Sequence, residues 1–536
     1  MGKAIKKEQI AIIIVIAVQF IFMLYWGIQK SGYYVDEFFT FDNAHYISAS
    51  TPARIKLYDA EFLTYDKWHK ISDLKSTLSV KREESLFSDS LGYNIKMWLT
   101  GQPYMVLLNY VQAIFFEGKL SKWSAVSMNI LLFLLNQLLL YRLAVGIAKD
   151  KTAAALAVAI YGFSGMAASM TVYVRFYMLV TLWMTLYTYL HWIMWQEENI
   201  KKNLLWEFLS LIVLYLAYKN SPLAVIQGVG LMGAFVLGLF LRKRIRQAAV
   251  YGIPIIGGGL LYVIFMTDYM GYIFQPEKYA NETATNVATA SLLGNFLSLT
   301  PKAALDRAVE LAQMISQFLF GHILIFGIYL LLAVVLFILF LCKKREKTKM
   351  QNWDWRFFLL AVCPCIFFCV VSVCLDLNAI RYNSSIFPEL AICVSTLILY
   401  LAGKTDKKNL AVMVMAIVVL GEIVFTVIIP QVENVYQEDR KAVEQIQSYP
   451  ETNSVVIDYH YDDKVMYECL AFAGENTKVM FTAYENVDFD AWSNDVLLWQ
   501  SVSEGEEIIN RLVESGQYSV IEIGSTHESV VYFISK

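Results

Sequence analysis

Two adjacent carboxylates, Asp36 and Glu37, stand in an aromatic run, Tyr33-Tyr34-Val35-Asp36-Glu37-Phe38-Phe39, directly after the first apolar segment. Other short turns between apolar segments hold cations. Arg175 lies in Tyr173-Val174-Arg175-Phe176-Tyr177, Lys219 precedes Asn220, and Arg381-Tyr382 follows Asp376. A positioned carboxylate can take the proton of an acceptor hydroxyl. Arginines and lysines can hold a phosphate whose charge grows as a bond to it breaks. Together they suit transfer of a group from a membrane-embedded phosphate lipid, in which one base and a few cations suffice. Each residue also has a plain alternative. The carboxylates can be solvated loop groups, and Arg175, Lys219 and Arg381 can be anchors that reach toward lipid headgroups. The many Tyr and Trp residues suit an interfacial belt. What favours a site is convergence, because the topology below puts all of these groups on one membrane face.

Other chemistries lack their residues. The chain has no P-loop, no Gly-rich dinucleotide turn, no His-Glu-x-x-His and no Cys-x-x-Cys pair, so a cytosolic nucleotide or zinc mechanism is unsupported. Cys363-Pro364-Cys365 sits in an apolar run without a nearby His, and no metal-ligand cluster is evident. Of the seven cysteines only Cys469 lies outside the apolar part, so no disulfide framework is expected and the thiols are read as packing groups. Nothing points to nucleic acid.

The elements that must position these groups are set by composition. Of the 536 residues, 57% are apolar and 17% charged, against roughly 25% charged in a soluble globular chain. From Gln431 onward there are 20 acidic and 6 basic residues, a net of -14, which leaves +11 on residues 1–430. The first part reads as a polytopic membrane domain (1–430) and the second as a soluble acidic domain (431–536).

Apolar runs begin with Ile10–Trp26, read as a retained first span, and recur at Val126–Val145, Ala153–Val172, Met178–Met194, Leu204–Ala217, Leu223–Leu241 and Val250–Met266. Ile315–Leu341, Phe357–Leu375, Ile386–Leu401 and Leu410–Ile429 complete eleven spans, each near the roughly 20 residues a bilayer requires. Every second loop is basic: Arg142, Lys149 and Lys151; Lys201 and Lys202; Arg242 to Arg246; Lys343 to Lys349; Lys404, Lys407 and Lys408. These loops and the N-terminus are assigned to the cytoplasm. The motif residues and the tail then face outward. Tyr104–Phe116 is too short to cross and is placed in the outer interface, at the end of a long external loop from Gln29 to Ser124. That loop also has polar stretches expected to be helical, Lys67–Ser76 and Ser79–Ser88, and a second long external loop runs from Asp268 to Gln313.

In the tail, Ser454–His460, Lys478–Thr482, Asp495–Ser501, Tyr518–Gly524 and Ser529–Ser535 read as strands, with Val465–Ala473 and Gly505–Ser515 as helices. This is a small α/β layer domain, either a cap over the external loops or an acceptor-binding module.

These residues resemble those of the GT-C superfamily of polytopic glycosyltransferases, and among them the bacterial family-39-like group related to protein mannosyltransferases and lipid A aminoarabinose transferases. The resemblance rests on Asp36-Glu37, Gly101-Gln102-Pro103-Tyr104 opening the interfacial helix, Trp123, Arg175-Phe176-Tyr177, and Arg381-Tyr382 with Pro388. In order, they cover about the first 400 residues. The resemblance implies an extracytoplasmic transfer of a sugar from a polyprenyl-phosphate donor to a cell-envelope glycan, lipid or protein. It implies that Asp36 is the catalytic base or acceptor-binding carboxylate with Glu37 beside it, and that Gln102, Tyr104, Arg175, Tyr177, Lys219, Arg381 and Tyr382 bind substrates. It leaves dependence on a divalent metal open. The chain departs from the group in having Gly101-Gln102-Pro103-Tyr104 where His-Pro-Pro-Leu-Tyr is usual, and Tyr218-Lys219 where a His often follows the fifth span. The competing classes are a transporter or flippase of lipid-linked glycans and a non-catalytic envelope assembly protein. A transporter would show internal repeats or charges near the midplane, and neither is evident.

Overall fold

The computed structural model describes residues 7–50, 64–265, 295–342, 355–377, 379–429, 431–458, 463–489, 492, 495–503 and 507–536. The chain forms two compact units. The described residues of the first fall within Met1–Phe20, Leu132–Met170 and Phe176–Val432, and those of the second within Ile21–Leu131, Thr171–Arg175 and Glu433–Lys536.

The first unit is helical. Each of the eleven apolar runs contains a helix. Among the described residues seven helices are long and apolar enough to cross a membrane, and the pair Lys151–Gly162 and Gly165–Val172, bent by 53°, makes an eighth if it counts as one span. Tyr177–Gln196, Ile200–Asn220 and Ile245–Phe265 are helices outside that count. The run Ile315–Leu341 is not one helix. Pro301–Phe320 ends at Gly321, whose left-handed φ of 74° no side chain adopts readily, and Ile323–Cys342 is the spanning part. A Cβ on Gly321 would also lie 2.8 Å from the Glu422 carbonyl oxygen.

Loops of like character share an end of this unit. Lys408 pairs with Asp150 at 2.6 Å and Arg244 with Glu198 at 2.9 Å, each joining two of the basic loops. Arg307 pairs with Asp376 at 3.4 Å, joining two loops of the other set. The basic loop Lys343 to Lys349 and most of the second external loop, residues 268–294, lie outside the described residues. Some buried polar groups of this unit are bonded across helices. Thr188 donates to Glu389 at 2.9 Å, and Gln19 donates to the Val158 carbonyl at 2.8 Å.

The second unit holds the end of the first span, the external loop and the tail. The short apolar helix is Pro103–Phe115, with Pro103 at its first turn, where a missing N–H costs nothing. Five strands of the tail and one from the loop after the first span form a six-stranded sheet ordered β1-β3-β2-β4-β6-β5. Here β1 is Trp68–Lys70, β2 Asn453–Asp458, β3 Lys478–Ala483, β4 Val496–Ser501, β5 Ser519–Ser525 and β6 Ser529–Ser535. Strands β3, β2 and β4 are parallel, and β6 runs antiparallel to both β4 and β5. Helices Asp463–Phe472 and Glu507–Ser515 lie between strands as the alternating pattern requires. Val455, Ile457, Leu498, Ile508, Leu512 and Trp492 form its core. Of the strand expected over Ser454–His460, Tyr459 and His460 lie outside the described residues, as do Gly505 and Glu506 of the expected helix.

The external loop departs from its expected structure in two places. Trp68–Lys70 is not helical but the edge strand β1, with Trp68 opposite Met480 and Lys70 opposite Lys478. Helix begins only at Ile71 and runs to Ser76. Ser79–Ser88 is two single 3-10 turns, Arg82–Glu84 and Leu86–Ser88, with the Asn109 side chain accepting from Leu86 N–H at 3.0 Å. A three-residue strand has no period of its own to read, so only its pairing partner, some 400 residues away, decides it. All seven cysteines are free.

Candidate active site

Asp36 and Glu37 do not lie in irregular loop. They occupy the first turn of a helix, Val35–Tyr46, where carboxylates favour the positive end of the helix dipole. Tyr34 before it is extended, and its N–H donates to Glu37 Oε2 at 2.8 Å, while Glu37 N–H donates back to the Tyr34 carbonyl at 2.8 Å. This reciprocal pair fixes where the helix starts. The helix buries Phe38, Phe41 and Ala44, and Phe38 stacks on Tyr467 with centroids 4.7 Å apart. Residues one position apart on a helix point in different directions. The two carboxylates therefore meet different surroundings.

Glu37 is sealed. Its Oε2 pairs with Lys30 Nζ at 3.0 Å, both side chains being 0% exposed, and its Oε1 accepts from Val174 N–H at 2.7 Å. Lys30 also donates to the Asn434 carbonyl at 2.7 Å and lies between the rings of Tyr33 and Tyr436, at 5.5 and 5.6 Å. Burial pulls the Lys30 ammonium below its usual pKa, while Glu37 opposes that shift. Both oxygens of this enclosed carboxylate are thus bonded to protein donors.

Asp36 is open. Its side chain is 28% exposed and sits 3.8 Å from the Arg175 guanidinium, itself 17% exposed. Tyr173 donates to Asp36 Oδ2 at 3.3 Å. Arg175 Nη1 donates to the Asp36 carbonyl at 3.0 Å and to Thr40 Oγ1 at 3.2 Å. The tight turn Tyr173–Arg175 thus holds both carboxylates: a backbone N–H binds Glu37, and two side chains bind Asp36. Tyr104 is fully buried. It donates to Asn129 Oδ1 at 3.1 Å, and Asn129 donates to the Tyr173 carbonyl at 2.8 Å. This chain of hydrogen bonds ties Tyr104 to the turn that holds the carboxylates. Gln102, at the start of Pro103–Phe115, is exposed.

The structure brings Asp36, Glu37, Tyr104 and Arg175 together in one unit. Tyr177, Lys219, Arg381 and Tyr382 belong to the other. Tyr177 is buried at the start of Tyr177–Gln196, and Lys219 is half-buried near the end of Ile200–Asn220. The Arg381 guanidinium lies 5.2 Å from the Tyr382 ring centroid. Sequence reasoning missed Lys30 and Tyr173. A signal for Lys30 was present, since the expected topology puts this lysine at the outer end of a span, against the usual charge bias, where it calls for a nearby acid.

No family model matches the chain, and no curated protein does. Among solved structures, it is similar to ArnT from Cupriavidus metallidurans bound to undecaprenyl phosphate. That likeness covers 97% of this chain and 97% of that one at 11% identity, with a TM-score of 0.52. The apo state of the same protein matches over 87% of this chain and 93% of that one, also at 11% identity, with a TM-score of 0.42. At such identity the likeness is one of fold, and the chain shares the fold of that ArnT structure along nearly its whole length.

Proposed function

We propose that the protein is a membrane glycosyltransferase that moves a sugar from a polyprenyl-phosphate donor to a hydroxyl of an extracytoplasmic glycan, lipid or protein. The observation that carries this reading is the contrast at Asp36-Glu37. One carboxylate is sealed by Lys30 and backbone donors, while its neighbour stays open beside an arginine. In the reaction the acceptor oxygen attacks the anomeric carbon of the sugar. The bond from that carbon to the phosphate oxygen breaks, and its electron pair leaves with the polyprenyl phosphate. Asp36 takes the acceptor's proton. Arg175 offsets the charge that grows on the leaving phosphate. The polyprenyl-phosphate donor is supported by the solved structure of similar fold, which holds undecaprenyl phosphate. On the resemblance, Gln102, Tyr104, Tyr177, Lys219, Arg381 and Tyr382 bind donor or acceptor, with Glu37 beside the base; the full burial of Tyr104 and Glu37 favours a supporting role for these two.

The reading is tested by comparing envelope glycans of a deletion strain with the parent strain by mass spectrometry, and by complementation with wild-type and Asp36→Asn chains. Loss of one glycosylated species, restored only by the wild type, is expected. An unchanged envelope would overturn the assignment.

Orientation is a separate proposal: N-terminus in the cytoplasm, domain 431–536 outside. Reporter fusions after Lys151, Arg246 and Lys408 are expected to read cytoplasm, and fusions after Met270 and Pro430 outside. A cytoplasmic tail would remove Asp36 from the outer face.

The arginines give a further expectation. Arg175→Ala and Arg381→Ala each weaken binding of a polyprenyl-phosphate analogue, and Arg381→Lys restores it only in part. A guanidinium grips phosphate through two parallel donors, whereas an ammonium acts as a point charge. Unchanged analogue binding in both alanine variants returns these residues to the role of interface anchors.

A further inference from the structure

Asp439, Glu468 and His527 come from three separate elements of the second unit and converge in its interior. Asp439 closes a 3-10 turn before the helix Arg440–Gln447, Glu468 lies on the helix Asp463–Phe472, and His527 lies in the turn between β5 and β6. One ligand atom from each lies within 4.8 Å of the other two. His527 Nδ1 is 2.5 Å from Asp439 Oδ2 and 3.3 Å from Glu468 Oε1. Both carboxylates are only 1% exposed.

We propose that these three side chains form a binding site for a divalent transition cation of the zinc type, independent of the transfer reaction. The first argument is charge. Among the described residues the only cationic group bonded to either carboxyl group is the His527 ring, so one imidazole faces two buried carboxyl groups. Arg440, next to Asp439, is turned instead to Ser31 and to the carbonyls of Ile28 and Gln29. Glu528, 4.0 Å from His527 Nε2, adds more negative charge, partly offset by Lys464 at 3.4 Å. A divalent cation neutralises a buried pair of carboxylates in a way that one imidazolium cannot.

The second argument is orientation. Glu468 Oε2 accepts from Thr526 Oγ1 at 2.5 Å and from Ser529 Oγ at 2.6 Å. Its Oε1 is left buried without a hydrogen-bond donor and faces the imidazole. Hydroxyls that lock one carboxylate oxygen and aim the other are the kind of support that metal ligands receive. Tyr436 stacks on the His527 ring at 3.8 Å and fixes its plane. In a tetrahedral zinc site neighbouring N and O ligand atoms lie about 3.3 Å apart, given bonds of about 2.0–2.2 Å. The pair Nδ1–Oε1 already has that spacing. The closer pair Nδ1–Oδ2 shares a proton, which the cation displaces as the two atoms draw apart.

The site would act as a clasp. Tyr436 adopts a left-handed backbone, φ 54°, which turns its ring to both His527 and Lys30. A Cβ on Gly32 would lie 2.8 Å from Asp439 Oδ2, so this part of the tail rests directly on the segment that leads to Asp36.

The experiment uses the full-length protein, purified in detergent through a tag without histidines, stripped with a chelator and dialysed against Zn²⁺. One bound equivalent per chain and a rise in Tm are expected, and Co²⁺ in its place should give the visible absorption of a tetrahedral site. Glu468→Gln keeps the size of the side chain and is expected to lose more than about 100-fold in affinity. Ser529→Ala, which removes only a support, should lose about 10–100-fold. Wild-type protein that binds no equivalent and keeps its Tm when Zn²⁺ is added would overturn the proposal and leave a proton-sharing cluster. So would Glu468→Gln protein that is folded by circular dichroism and retains the full equivalent with the wild-type Co²⁺ spectrum.

Discussion

Asp36→Asn is expected to lower the rate of sugar transfer by about 10²–10⁴-fold, the usual contribution of a positioned general base. Asparagine keeps the size of the side chain and can still accept from Tyr173, which lies 3.3 Å from Oδ2. It cannot take a proton. Arg175 also holds the Asp36 carbonyl and Thr40, so the guanidinium keeps its place in the variant. Donor affinity should therefore be retained, because the phosphate is held by cations and a nearby negative charge has gone. The transfer rate and the affinity for a polyprenyl-phosphate analogue are to be measured on the same purified variant. Near-normal transfer would take Asp36 out of the mechanism. Lost affinity with an unchanged chemical step would make it a carboxylate that only orients Arg175.

Lys30→Met is expected to destabilise the protein by about 3–5 kcal/mol, because removing one partner leaves the other as an uncompensated buried charge. The orphan would be Glu37, 0% exposed, with only the Tyr34 and Val174 N–H groups to bind it. Glu37→Gln is expected to cost a similar amount, since it leaves the buried Lys30 ammonium without its counter-charge and, with the amide oxygen toward Lys30 and Tyr34, turns the NH2 group onto the Val174 N–H. The double variant Lys30→Met/Glu37→Gln should lose less than the sum of the two, because it leaves no lone charge. Thermal unfolding in detergent reads all three. Wild-type stability in Lys30→Met would mean that Glu37 is not held as the structure places it. Glu37→Gln protein that is fully stable but inactive in transfer would return Glu37 to the chemistry.

These two variants separate residues that adjacency alone treats as equals. Asp36 and Glu37 read as a pair of carboxylates at the end of a span, with one shared environment. In the structure they sit on successive positions of a helix, so one turns inward to Lys30 and the other faces Arg175. The pairing of Glu37 with Val174 N–H joins residues 137 apart in sequence, and no local pattern encodes it. Lys30 was legible only as a charge at the end of a span, on the side that the expected topology makes the unusual one for lysine. Its role depended on Tyr436 and Asn434, which lie more than 400 positions away.

What the sequence determined alone were the features with a strong repeating signal. Runs of some 20 apolar residues specify helices because lipid leaves a backbone no other partner than itself. Alternating hydrophobicity located the strands of the tail to within a residue or two, as at Ser529–Ser535, because a half-buried sheet imposes a period of two. The short apolar helix after Gln102 was legible from its length and its proline. Tertiary structure decided whatever depends on a distant partner. Trp68–Lys70 became a strand because β3 offered it an edge, and Ile315–Leu341 divided at Gly321 because the chain turns there against the Glu422 carbonyl. Asp439, Glu468 and His527 became neighbours only because the sheet folds the last turn of the chain back onto its entry. The reason is common to all three. A period can be read within ten residues, but the burial that makes one carboxylate a support and its neighbour a candidate base comes from chain segments hundreds of residues apart.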